Sequence, residues 1–197
     1  LVMGKGKYRM IGIKFTAYGF SLLFGNRMGS FRNENVSFEY LEVDWLKRLQ
    51  EGLASRNDVA SLSRKLSKGI AKRLQNRVFH GMPKLLVSSV NIIEHQKGII
   101  SVQDVSLKAY KGIRQLQRGF STYFGISPKQ YIDLIRFKSF YKENLLINQS
   151  PSGYLDYGYY DQSHFIKDFR KRVGTTPTDA TSEDFVRKSK ITSINLL

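Results

Sequence analysis

The spacing of apolar residues changes part-way along the chain. Between Tyr8 and Phe15 they alternate, Ile11, Ile13 and Phe15 against Met10, Gly12 and Lys14, a period of two that predicts a strand. The stretch from Gly19 to Gly29 reads as a second strand or a turn. From Phe38 the steps widen to three and four: Phe38, Leu41, Trp45 and Leu49, then Val59, Leu62, Leu66, Ile70, Leu74 and Val78, predict two amphipathic helices. Gly81-Met82-Pro83 breaks that run. Leu86, Val90 and Ile93 predict a further helix ending before Lys97-Gly98, which we read as a domain boundary.

Beyond Gly98 the chain repeats itself. Leu116, Phe120, Gly125 and Pro128 recur 49 positions later as Phe165, Phe169, Gly174 and Pro177, with Tyr110 matched by Tyr159, Arg118 by Lys167 and Ser127 by Thr176. In the first copy Ile113, Leu116, Phe120 and Tyr123 make one face to be buried, while Arg114, Gln117, Arg118 and Ser121 share a face with no apolar member. Gly125 suits the left-handed residue past a helix end, and Ser127-Pro128 supplies a cap followed by proline at the first helical position. Gly174 and Thr176-Pro177 repeat the device. In the second copy Phe165, Phe169 and Val173 form the apolar stripe and Ser163, Lys167 and Arg170 point outward. Val102, Val105 and Ala109 mark a short helix ahead of Gly112, so the first copy reads helix, tight turn, helix. Pro128 to Asn148, with Tyr131, Leu134, Ile135, Phe137 and Phe140, reads as one connecting helix about 30 Å long at 1.5 Å per residue.

Charge gives the outward faces a meaning. The chain carries 32 Lys and Arg against 16 Asp and Glu, a net charge of +16, which suits contact with a polyanion. The excess is spread: 17 basic against 7 acidic residues before Gly98, and 15 against 9 after it. Arginine can bond guanine O6 and N7 in bidentate fashion and glutamine adenine N6 and N7, so a face of Arg114, Gln117 and Arg118 fits base reading better than phosphate contact alone. The predicted helix from 57 to 78 carries Arg64, Lys65, Lys68, Lys72, Arg73 and Arg77. Such a run reads first as a solvated face, the alternative being a surface against phosphates.

Other chemistry is thinly supported. Zero cysteines exclude disulfides, thiolate nucleophiles and Cys-ligated zinc. His80, His95 and His164 have no metal-ligand spacing, with His164 read as a packing or phosphate-side residue. Gly4-Lys5-Gly6-Lys7 lacks the pattern of a phosphate-binding loop. No nucleophile, base and orienter set emerges, so we expect no catalytic residue, no metal, no cofactor and no enzyme. Tyr154, Tyr157, Tyr159 and Tyr160 read as packing residues rather than a platform for stacked bases. The apolar runs are too short to span a membrane and no cleavable leader opens the chain, so the expected location is the cytoplasm. Because the first residue is Leu1, we expect sequence upstream of it.

Ile113-Arg114-Gln115-Leu116-Gln117-Arg118-Gly119-Phe120, Phe124-Gly125-Ile126-Ser127-Pro128-Lys129-Gln130-Tyr131 and above all Gly158-Tyr159-Tyr160-Asp161-Gln162-Ser163-His164-Phe165-Ile166-Lys167-Asp168-Phe169 resemble the DNA-binding domain of the AraC/XylS family of bacterial transcription regulators. The resemblance covers about 40% of the chain. It implies a mainly α protein whose C-terminal all-helical domain has two helix-turn-helix units joined by a linker helix, each recognition helix entering a major groove. On matching positions Arg114, Gln117 and Arg118 would face bases from the first unit, and Gln162, Ser163 and Lys167 from the second. Less specifically, Tyr8 to Phe15 and Gly19 to Gly25 resemble the end of the sensor domain of such regulators, an N-terminal α+β remnant. The expected organisation is a partial sensor region over 1–98, the DNA-binding domain over 99–180 and a tail over 181–197. The expected partners are an asymmetric double-stranded operator, a small-molecule effector at the N-terminal region and RNA polymerase, with no membrane. The other readings are a sequence-tolerant basic nucleic-acid binder or a decayed regulator. Two positions depart from the family pattern: Gly112 stands where a capping Ser is usual, and Pro151 and Gly153 fall where the second unit's first helix is expected, a helix-interior glycine costing on the order of 1 kcal/mol.

Overall fold

The computed structural model describes residues 15–16, 19–24, 58–76, 84–147 and 150–181, with a few isolated positions between 31 and 51. Every regular element among the described residues is helical. They fall into two compact units, one from the described part of 1–84 together with Gly119–Gly125, the other from the described parts of 85–118 and 126–197.

In the first unit, α1 spans Gly19–Phe24 and α2 spans Val59–Asn76. The expectation of a strand or turn from Gly19 is thus corrected over 19–24. Phe20, Leu23 and Phe24 fall at i, i+3 and i+4, which a helix gathers on one face and a strand would split between two. Leu23 and Phe24 are buried, with Phe15, Phe20 and Ile70 packed against them. The Ser21 hydroxyl donates to the Tyr123 carbonyl at 2.7 Å, within the same unit. Asp58 starts α2 by accepting from the Ser61 N–H at 2.8 Å. The strand expected over 8–15 lies outside the described residues except Phe15, which is not in a strand. The helix expected over 38–49 lies outside them except Lys47, which is helical, and the break at Gly81-Met82-Pro83 lies outside them too.

The second unit opens with α3, Lys84–His95, whose Leu86, Val90 and Ile93 are all buried, as their spacing predicts. Lys97 and Gly98 then turn through the left-handed region, with φ 52° and 73°. A Cβ on Gly98 would lie 2.4 Å from the backbone nitrogen of Arg136 and 2.5 Å from the Ile132 carbonyl, so only glycine lets this turn sit on the connecting helix. Next come α4, Val102–Lys108, capped by Ser101, and α5, Ile113–Phe124, of which the part from Gly119 belongs to the first unit. Gly125 follows at φ 70°, as expected of the residue past a helix end. Helix α6, Pro128–Phe140, begins with a reciprocal cap: Ser127 accepts from the Gln130 N–H, and the Gln130 side chain accepts from the Ser127 N–H.

The connecting helix is not one α-helical rod. From Tyr141 to Ile147 it continues as a π-helix, with Tyr141 and Leu145 in the core. Leu134, expected on its apolar face, is instead 41% exposed. After Pro151 a single 3-10 turn, Tyr154–Tyr157, stands where the first helix of the second helix-turn-helix was expected. Gly153 is not inside that helix but immediately before it, in the left-handed region at φ 80°, and so carries no helix-interior cost. Helix α7, Gln162–Val173, and the short α8, Pro177–Ala180, complete the unit. The core around them is aromatic: Phe140 meets Phe165 at 4.7 Å, Tyr154 stacks on Phe165 at 5.1 Å and Phe137 meets Phe169 at 5.5 Å. Such pairs add to what area burial alone supplies.

Candidate DNA interface

Helices α4 and α5 are joined by a turn over Ala109 to Gly112. The buried Ser106 closes it, its hydroxyl donating to the Lys111 carbonyl and its own carbonyl accepting from the Lys111 N–H. Leu116 and Phe120 seat α5 and are fully buried. Ile113, expected to join them, is 38% exposed at the first position of the helix, where no preceding turn covers it. With its inward side fixed, α5 leaves Arg114, Gln117, Arg118 and Ser121 exposed along one face. Gly112 precedes the helix with open space about it, its carbonyl accepting from Gln115 and Leu116.

Helix α7 is seated differently, by polar groups as well as aromatic ones. Phe165 and Phe169 are buried, and Asp161 caps the helix by accepting from the His164 N–H at 2.7 Å. The Tyr159 hydroxyl donates to Asp168 at 2.9 Å, while Arg172 donates to the other oxygen of Asp168 at the same distance. Burial first, and then the Asp168 charge, push the Tyr159 phenol well above its ordinary range, so it stays a donor. Gln162, Ser163, Lys167 and Arg170 remain exposed, Ser163, Lys167 and Arg170 following one another at i, i+4 and i+7. His164 sets its ring edge against Tyr159 at 5.4 Å. The tyrosines expected to pack divide: Tyr157 and Tyr159 are buried and Tyr154 is stacked, whereas Tyr160 is 88% exposed. Tyr110, the repeat partner of Tyr159, is 90% exposed with φ 54°, so the two turns are not congruent.

Two side chains hold the second helix-turn-helix on the connecting helix, and neither was named from the sequence. Arg136 is almost fully buried, paired with Asp133 at 2.8 Å, donating to the Gly158 carbonyl at 3.3 Å and lying 4.7 Å over the Tyr159 ring. Its signal was a cation between Ile135 and Phe137, four residues after Ile132. Glu143 bonds Lys97 at 2.8 Å and accepts from the Tyr157 hydroxyl at 2.5 Å. The Lys97 bond chiefly, then that of Tyr157, holds the Glu143 carboxyl below its usual range. Burial chiefly, then Glu143, pushes Tyr157 up to about 12.

Two short helical units with an outward helix each, the second following the first through a connecting helix, are the parts a duplex-binding domain needs. A family model described as a helix-turn-helix domain matches residues 106–182. These residues are an AraC-type helix-turn-helix DNA-binding domain. The matched stretch runs from within α4 to just past α8, and the partner of such a domain is DNA. No curated protein and no solved structure gives a match. No helix among the described residues is long and apolar enough to cross a membrane.

Proposed function

We propose that this protein is a sequence-specific transcription regulator that reads double-stranded DNA with α5 and α7 in successive major grooves, without catalysing a reaction. The observation that carries the reading is the pair of seated helices whose remaining faces are exposed and rich in directional donors: Arg114, Gln117 and Arg118 on α5, and Gln162, Ser163, Lys167 and Arg170 on α7. Arginine and glutamine have the geometry to pair with purine edges, while lysine acts chiefly as a point charge. The first helix-turn-helix therefore carries most of the base discrimination. We place the DNA-binding domain at 99–180 and a partial sensor region at 1–98, where a small-molecule effector binds. RNA polymerase is the further partner this role calls for, and the cytoplasm is its place.

Footprinting in the presence of excess competitor DNA tests the proposal. Base readout leaves an asymmetric protected site in two parts, because the two helices present different donors. Binding through phosphates alone is titrated away by the competitor and leaves no footprint. That second outcome belongs to a sequence-tolerant basic binder, a reading favoured by the +16 charge and by the reduction of the second unit's first helix to one 3-10 turn.

A further inference from the structure

Helix α2 lies outside the DNA-binding domain, and neither face of it enters the function proposed so far. Its apolar side is used: Leu62 is buried and Ile70 packs with the Leu23 and Phe24 cluster. Arg64, Lys65, Lys68 and Lys72 are all exposed, and none has an ion-pair partner among the described residues. At 3.6 residues per turn these four fall in a sector of about 100°, opposite the apolar stripe of Leu62, Leu66 and Ile70. They run over about 12 Å, which matches some three to four phosphate steps along one strand of a duplex. The residues between them, Ser63, Ser67 and Ala71, are small and exposed, so nothing holds a flat polyanion away.

A face kept merely soluble mixes both signs, since Glu and Lys at i, i+4 support a helix and like charges there oppose it. The eighteen residues of α2 contain five basic side chains and no acidic one. Arg64, Lys68 and Lys72 stand at successive i, i+4 positions, the arrangement that costs helix stability. We propose that this face of α2 is a second DNA-contacting surface, binding duplex phosphates without reading bases and anchoring the protein on DNA that the recognition helices then sample. The proposal takes the duplex as partner from the function proposed above. An anionic membrane suits the face less well, because insertion needs an apolar side and that of α2 is packed in the protein core.

The test uses the full chain with Arg64→Gln, Lys65→Gln, Lys68→Gln and Lys72→Gln combined, glutamine being nearly as good a helix former. Affinity is measured by fluorescence anisotropy across a salt series, on a duplex selected from random sequence and on a scrambled duplex. Each lost phosphate contact lowers the slope of log affinity against log salt by about 0.9 and, at about 0.15 M salt, weakens binding about fivefold. We expect both duplexes to lose affinity by the same factor, tenfold or more, with base preference kept. An unchanged slope, or a loss confined to the selected duplex, overturns the proposal. So does tight binding of the parent chain to phosphatidylserine vesicles that the variant alone has lost. Should the fourfold variant melt at lower temperature than the parent, Lys68→Gln with Lys72→Gln is the second arm, expected to remove a smaller, equally sequence-blind share. A parent that binds both duplexes alike refutes base reading by α5 and α7, while the drop in slope still reports on α2.

Discussion

Arg118 and Lys142 are both exposed cations of the second unit, on α5 and on the π-helical segment, yet they differ in what they can distinguish. A guanidinium set against a groove makes two directed bonds to one base, whereas an ammonium off the recognition helices meets only charge. Arg118→Ala is therefore expected to weaken the preferred site by roughly 1–3 kcal/mol and to relax preference at one base position. Lys142→Ala should at most lower affinity evenly across sequences. Selection from randomised duplexes decides, and an unchanged preference in the Arg118 variant removes the role given to it. Glu143 and Tyr157 set a pH window instead. The Glu143 carboxyl is held below its ordinary 4.5, so its contribution is present above that value and lost as pH falls through the lowered one. Tyr157 is raised from 10.0 to about 12, so its contribution is complete below 10 and disappears as pH rises through about 12. Urea midpoints should form a plateau that falls at both ends, and Glu143→Gln should flatten the acid side. An acid limb of the same steepness in that variant would remove Glu143 from the account. Neither partner of Glu143 is near it in sequence, Lys97 lying 46 residues before it and Tyr157 14 after it. Residue pattern could not show this cluster.

Among the elements, those whose ends are set locally are where pattern and structure agree. Ser127 and Thr176 cap their helices through side chains three residues from the N–H groups they satisfy, and Gly125 and Gly174 take the left-handed turn. Such signals lie within one turn of chain. Elements whose geometry depends on a distant neighbour were not legible: the π-helical continuation, the 3-10 turn at Tyr154 and the exposure of Leu134. Gly98 and Gly174 separate the two kinds. Both have positive φ, but a Cβ on Gly98 collides with the α6 backbone while one on Gly174 meets nothing within 4 Å. Gly174→Ala is expected to cost only the left-handed backbone penalty, about 1–2 kcal/mol. Gly98→Ala should cost clearly more, because two backbone segments must separate. Chemical denaturation of the two variants compares them, and equal losses would mean that the Gly98 turn does not bear on α6.

At the scale of the whole molecule, the proposed function has α5 and α7 do on one chain what a dimer of single helix-turn-helix units does, with operator parts about 10 base pairs apart. Inserting roughly 5 base pairs between them turns the second groove to the far side of the duplex. A gel-shift titration should then show a large loss of affinity, reducing the footprint to the part read by α5. Equal binding of the inserted site would show that α7 contributes nothing. The sequence by itself determined the α-helices after Val59, where most of them start and stop, that a helical unit repeats, and which side chains face outward from α5 and α7. Those are consequences of local periodicity, capping and charge, all carried within a few residues of chain. Tertiary structure alone decided that α1 is a helix, that the 97–98 turn rests on the backbone of α6, that Arg136 is buried under Tyr159 and Gly158, and that the two turns of the repeat differ. Each of these depends on which distant surface meets which. A short apolar stretch packs equally well as strand or helix until its partner is given, and a cation enters a core only where a carboxylate, a carbonyl and a ring converge on it.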